Sequence, residues 1–234
     1  VHCHLGRWGL PVPDESARHI LRSMKETGVR KAVISSAKAI SYDLAAGNRE
    51  LAAEIAGHPE LLGYVSVNPH YFELSCTEMD RYLALPNFVG IKLNSSLAEE
   101  ETASERSRQL LEAAARHGRP ILVHVLGASA LGALCEIAER FPGCTIIKAH
   151  GGDGRMAKQI LASPNVVTEF ASSSLRGRTI RETLDILGPS RVLFGSDATL
   201  LDMGNVLGAY LDADLSATER ESVLYGNALR IFRL

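Results

Sequence analysis

Eight short apolar runs, each followed by a stretch with helical spacing, constrain this chain more than any other feature of its sequence. The runs fall at residues 1–5, 32–34, 62–67, 88–93, 121–125, 145–150, 166–170 and 192–194. Runs this short and this apolar are the pattern of strands covered on both faces. Between them, apolar residues recur three and four apart, as in Ala17, Ile20, Leu21 and Met24, or Leu131, Leu134, Cys135 and Ala138, which is the spacing of one helix face. Gly28, Gly118, Pro142-Gly143 and Gly188-Pro189 punctuate the ends of these stretches. Thr102-Ala103-Ser104-Glu105 and Ser216-Ala217-Thr218-Glu219 match the capping box that opens a helix. Strand–helix alternation of this kind closes into an eightfold parallel barrel or spreads into a doubly wound open sheet. The open sheet carries a glycine-rich turn after its first strand, and Gly6-Arg7-Trp8-Gly9 does not fit that fingerprint. The sequence therefore predicts an α/β chain folded as a (β/α)8 TIM barrel, a single domain over residues 1–234, close to the roughly 250 residues such barrels use.

Charge narrows the partners. The 25 basic and 27 acidic side chains nearly cancel and form no block, which argues against nucleic acid and against a membrane surface. No apolar run reaches the length of a membrane span. The first ten residues hold two His, an Arg and a Trp, unlike a secretory signal. A small-molecule substrate and a cytoplasmic location are the expectations. Val1 rather than Met opens the chain and already lies in the first apolar run, so residues upstream are expected to be missing from this sequence. Cys3, Cys76, Cys135 and Cys144 have no paired spacing and read as reduced thiols rather than disulfides or a zinc-binding set.

The chemistry is read from the strand ends. Residues two apart on a strand share a face, so His2 and His4 point one way and Cys3 the other. In a barrel, functional groups gather at the carboxyl ends of the strands. Those ends carry His2 and His4, Lys92, His124, His150 and, just after the last run, Asp197. His2, His4, His124 and Asp197 form a nitrogen and oxygen donor set that suits Zn²⁺, and also Mn²⁺, Fe²⁺ or Co²⁺. Such an ion lowers the pKa of a bound water to about 7. Asp197 in Gly195-Ser196-Asp197 is also good turn chemistry, and Lys92 can simply snorkel to the rim. His19, His58 and His117 sit at poor positions for a site, and His70 reads as a loop residue on the correct rim. Arg7, directly after the histidine pair, is a candidate clamp for a substrate carboxylate. Lys148, two residues before His150, is expected on the same inward face. A charge there is costly unless paired, so either the strand is irregular or a carboxylate such as Glu169 meets it.

The ordered motifs His2-Cys3-His4-Leu5-Gly6, Gly90-Ile91-Lys92-Leu93, Leu122-Val123-His124, Ala149-His150-Gly151-Gly152 and Phe194-Gly195-Ser196-Asp197 resemble the metal motifs of the amidohydrolase superfamily. The nearest branch is the amidohydrolase-related group of hydrolases and metal-dependent decarboxylases, whose usual ending residues 225–232 also resemble. The likeness runs along essentially the whole chain. It implies that His2, His4 and His124 hold a metal, Zn²⁺ foremost, and that Asp197 binds it or takes a proton from the attacking water. It implies an acid/base or oxyanion-stabilising role for His150. Lys92 would be either a carboxylated lysine bridging two metals or a plain lysine polarising the substrate. Hydrolysis of a small amide, lactone or ester is the leading expectation. Decarboxylation of an aromatic or unsaturated acid, with Arg7 on its carboxylate, is the second. A barrel that binds metal or ligand without turnover is the third. The branch often pairs into dimers, so a homodimer is consistent with the resemblance.

Overall fold

Parallel pairing orders the strands as they occur in the chain. The computed structural model describes residues 1–125, 127–172 and 176–234. Its strands are β1 (Cys3–Leu5), β2 (Ala32–Ser36), β3 (Leu61–Val67), β4 (Phe88–Leu93), β5 (Ile121–Val123), β6 (Ile146–Lys148), β7 (Val166–Glu169) and β8 (Val192–Leu193). Each pairs with its neighbour in the order β1 to β8. The sheet then closes on itself, because the backbone after β8 runs beside β1. Val1 N donates to the Phe194 carbonyl at 2.7 Å, Ser196 N and Asp197 N donate to the His2 carbonyl at 3.1 and 2.8 Å, and His4 N donates to the Ala198 carbonyl. This is the (β/α)8 TIM barrel that the eight runs predict.

Helices α1 (Ala17–Thr27), α2 (Ala37–Ser41), α3 (Leu44–Ile55), α4 (Phe72–Tyr82), α5 (Glu105–Ala115), α6 (Ala128–Arg140), α7 (Gly154–Gln159), α8 (Gly177–Leu187), α9 (Met203–Leu211), α10 (Ala217–Glu221) and α11 (Asn227–Phe232) accompany the strands. Alternation along each strand sorts the core into two parts. Ile34, Val65, Ile91, Val123, Ile146, Val166 and Val192 face the helices. Val33, Leu62, Leu122, Ile147, Val167 and Leu193 fill the barrel interior, with Ile231 and Phe232 of α11 packed against them. The ring of Phe232 meets that of Tyr64 edge-on at 5.9 Å. No helix among the described residues is long and apolar enough to cross a membrane.

Local signals resolve differently at three places. α5 is capped by Ser104, whose side chain accepts from Ser107 N, while the Thr102 hydroxyl pairs with that of Ser95 at 2.6 Å; the capping box expected from Thr102 is not used. The box at Ser216 and Glu219 forms in full. Its helix passes through a π turn at Ser222–Gly226 into α11. Helices α2 and α9 leave no clear periodic stripe in the sequence. They form where Ser36 and Asp202 cap them.

Candidate active site

His2 and His4 stand where strand alternation puts them, on the inner face, both buried, with Cys3 turned to the outer core. Their Nε2 atoms lie 3.1 Å apart. Asp197 Oδ1 is 3.0 Å from His4 Nε2 and 3.5 Å from His2 Nε2. The other ring nitrogens are engaged behind them, His2 Nδ1 with Glu169 Oε1 at 2.9 Å and His4 Nδ1 with Ser35 Oγ at 2.9 Å. Burial pushes the pKa of both rings down, with Lys92 adding to the effect at His2 and Asp197 opposing it at His4. When each Nδ1 carries the proton of a neutral ring, the two Nε2 lone pairs and a carboxylate oxygen converge on one point. Lone pairs this close repel unless a cation lies between them, so the donor set fits a divalent ion whose ligand rings are oriented from behind. For Asp197, burial favours the neutral carboxyl, but the imidazoles of His2 and His4 outweigh it and hold the group below the usual carboxylate range.

Lys92 reaches the same point, with Nζ 2.9 Å from His2 Nε2. Burial brings its ammonium down to about 8, against the pull of Asp197 and Glu169. His124 does not join the donor cluster. Its Nδ1 is 2.8 Å from His150 Nε2, and burial followed by the charge of His150 pushes it down to about 3. Among the described residues, the groups whose ligand atoms converge are His2, His4 and Asp197, and His2, His150 and Glu169. The expected set of three histidines and Asp197 is therefore divided, because the half-buried ring of His124 turns to its neighbour.

Glu169, read from the sequence only as a partner for Lys148, is the centre of the second group. Fully buried at the last position of β7, it takes His2 Nδ1 and His150 N on one oxygen, each at 2.9 Å, and Ala171 N on the other at 2.7 Å. A Cβ at Gly195 would collide with its carboxylate and with His2, so glycine is what admits Glu169 to this place. Its signal in the sequence was its position, an acidic residue one place before the end of the seventh apolar run.

Lys148 faces away from the site. Ile147 and Ala149 belong to the inner cluster, so Lys148 between them points to the helix layer. There its Nζ donates to the carbonyls of Ala149, at 3.2 Å, and Gly151 rather than to Glu169. Burial still lowers its pKa to about 8. His150 turns inward because β6 has ended and its φ is 64°. The strand is irregular there, as one of the two expectations had it. Asp197, also past the end of its strand, has a φ of 56°. Both values lie in the left-handed region that non-glycine residues adopt at a cost. Arg7 is exposed, and its side chain makes no ion pair among the described residues. His70 lies on the rim in an exposed contact with the Ala98 carbonyl at 2.8 Å.

A family model described as Amidohydrolase matches residues 1–234. Among solved structures, a dihydroxybenzoic acid decarboxylase from a Polaromonas species, with bound manganese and the inhibitor 2-nitroresorcinol, superimposes with a TM-score of 0.76 at 18% identity, covering 94% of this chain and 86% of its own. A 5-carboxyvanillate decarboxylase from Sphingomonas paucimobilis gives 0.73 at 17%, over 92% and 82%. An amidohydrolase from Burkholderia multivorans with bound HEPES gives 0.77 at 14%, over 100% and 98%. Among curated proteins, none matches the chain in sequence.

Proposed function

The chain belongs to the amidohydrolase family, and from that premise we propose that it is a divalent-metal-dependent decarboxylase of a small hydroxylated aromatic acid. One arrangement carries the reading. Asp197 is tied into a compact cluster with His2 and His4 instead of standing free as a base, while His124 and His150 lie beside that cluster within hydrogen-bonding distance of each other. The fold shared with two decarboxylases of aromatic acids supports putting decarboxylation ahead of hydrolysis, the reverse of the order the motifs alone suggested.

His2, His4 and Asp197 would hold the ion. They bring no thiolate, since Cys3 faces away, and such a set suits Mn²⁺ as well as Zn²⁺. When bound, a divalent cation supplies the positive charge that draws in the acid's carboxylate and adjacent hydroxyl and steadies the electron pair left on the ring. As a plain lysine, Lys92, 2.9 Å from His2 Nε2, would add a second positive charge for the same carboxylate. Glu169 fixes the His2 ring and, through the His150 backbone N–H, the start of the turn that carries His150. His150 Nδ1 faces the Ala171 carbonyl. A carbonyl only accepts, so Nδ1 carries a proton and Nε2 exchanges one with His124 Nδ1. As the bond between ring carbon and carboxylate breaks, its electron pair stays on the carbon, CO₂ leaves, and a proton taken up from solvent and relayed through the His124–His150 couple replaces it, so that both rings end neutral.

The test is a product assay. Mn²⁺-loaded and Zn²⁺-loaded protein is given hydroxybenzoates and methoxyhydroxybenzoates, with CO₂ release measured, and lactones and amides, with proton release measured. CO₂ from the hydroxylated acids and no proton release from the second set is expected. The opposite pattern replaces this reading with hydrolysis.

A further inference from the structure

Among the described residues, four buried side-chain polar atoms have no hydrogen-bond partner: Trp8 Nε1, Ser66 Oγ, Ser107 Oγ and Thr199 Oγ1. Buried polar atoms are paired in the great majority of cases, and each exception asks for a reason. Ser107 belongs to α5 in the outer helix layer. Of the other three, Trp8 touches the histidine cluster, and Ser66 and Thr199 lie beside residues that do. The Trp8 ring stands edge-on to that of His4, with centroids 4.8 Å apart. Thr199 follows Ala198, whose carbonyl takes the His4 N–H. Ser66 is the register partner of Lys92 and shares an inward face with Tyr64, two residues earlier.

We infer that Trp8, together with Ser66 and Thr199, forms the wall that recognises the substrate's ring oxygens, with the Trp8 indole N–H as the donor to a hydroxyl or phenolate oxygen beside the carboxylate. An indole N–H only donates, so its ligand is an acceptor. The carboxylate itself is drawn to Lys92 and the histidine cluster, which leaves the neighbouring oxygen for Trp8. The loop holds the indole in place before any ligand arrives. Gly6 N donates to the Glu15 carbonyl at 3.1 Å, Trp8 N donates to Glu15 Oε1 at 2.9 Å, and Tyr42 Oη donates to the Arg7 carbonyl at 3.3 Å. The same loop exposes Arg7, the residue expected to clamp the carboxylate, and buries Trp8 beside His4. The inference rests on the proposed function only in taking the ligand to be a small aromatic acid.

Trp8 is the one tryptophan in the chain, so indole signals report on this residue alone. Mn²⁺-loaded protein is titrated with benzoate, 2-hydroxybenzoate and 2,6-dihydroxybenzoate by emission, and the same acids are titrated calorimetrically into the wild type and Trp8→Phe, which keeps a ring and lacks the N–H. The hydroxylated acids should bind about tenfold more weakly to the variant, with benzoate binding and metal content unchanged. Equal affinities in both proteins, an equal loss for benzoate, or no binding of any acid to the wild type overturns the inference. Should Trp8→Phe fail to fold, the single indole N–H resonance of ¹⁵N-labelled, Zn²⁺-loaded wild type decides: it moves with 2-hydroxybenzoate and not with benzoate, or the inference falls. CO₂ release from the same samples is read separately. Hydroxyl-selective binding through Trp8 without CO₂ would remove the decarboxylase reading and leave this one standing.

Discussion

At the amino-terminal end of the barrel, α11 lays Ile231 and Phe232 across the strand starts, near Val89, Pro120 and Thr145, and the contacts with Tyr64 and the inner strand residues are apolar. At the carboxyl-terminal end, His2, His4, Lys92, Glu169 and Asp197 are buried just as deeply, yet they are polar, and the titrations of His2, His4, Lys92 and Asp197 are displaced. His150 and Asp197 are also held at positive φ there. Both ends close the same cylinder. The first end lowers the free energy of the fold through burial of apolar area. The second spends part of that stability to hold groups in states they would not choose in water, which is the usual trade at a functional site. The difference locates function physically, without reference to any motif.

The sharpest way to break this comparison is to empty the polar end. The double substitution His2→Ala and His4→Ala should abolish metal content and lower CO₂ release by roughly a thousandfold or more, the several kcal/mol a metal centre contributes. The melting temperature of the metal-stripped protein should stay level or rise. A variant that keeps full activity, or that unfolds without metal, contradicts the account.

Emptying the other end should do the reverse. Phe232 is almost fully buried, and Phe232→Ala should cost about 3–5 kcal/mol in urea unfolding, roughly 10 °C in melting temperature for a chain of this size. Metal stoichiometry and turnover per folded molecule should not change. A loss of metal in this variant would mean that the two ends are coupled.

Lys148 tests how far the polar end's cost extends through the sheet. Its folded pKa, about 8, lies below the ordinary lysine value of 10.5. Between those values the unfolded chain binds more protons than the folded one, so this group makes stability rise with pH across that window. Below about pH 8 the folded state carries the cost of the buried ammonium, and above 10.5 the cost is gone. Relative to Lys148→Met, the wild type should therefore gain about 3 kcal/mol between these limits in unfolding measured from pH 7 to 11. A flat difference would show the ammonium to be well solvated.

The smallest effect is expected from Ser216→Ala, which removes the cap of α10 on the approach to α11. About 1 kcal/mol of stability should go, with metal binding unaltered.

The barrel was legible because period-two burial and parallel pairing leave short apolar runs, and eight of them in alternation admit few arrangements. The strand-end list was legible for a related reason. His2, His4, Lys92 and Asp197, which the structure links through hydrogen-bonding or ion-pair distances, lie inside or just after such runs. Glu169 lies in a run as well, but apolar neighbours and a nearby lysine suggested an ion pair instead of a support for His2. The direction of Lys148 was misjudged because alternation was carried one step too far. The strand stops at that residue, and a backbone angle then turns His150 inward. The cap of α5 moved from Thr102 to Ser104 because two residues of the same type compete within a single turn, and only packing chooses between them.

By itself, the amino-acid order determined the alternation of strands and helices, the closure into a barrel, and the set of polar residues brought to one rim, since these follow from periodicities that every residue in a run shares. Only the tertiary structure decided which of those residues meet. It divided His124 from the His2–His4–Asp197 cluster, placed Glu169 behind His2, and buried Trp8 while exposing Arg7. Such choices depend on single torsions beyond the strand ends and on contacts between different loops and strands, 167 positions apart for His2 and Glu169, where no local repeat of the sequence carries the information.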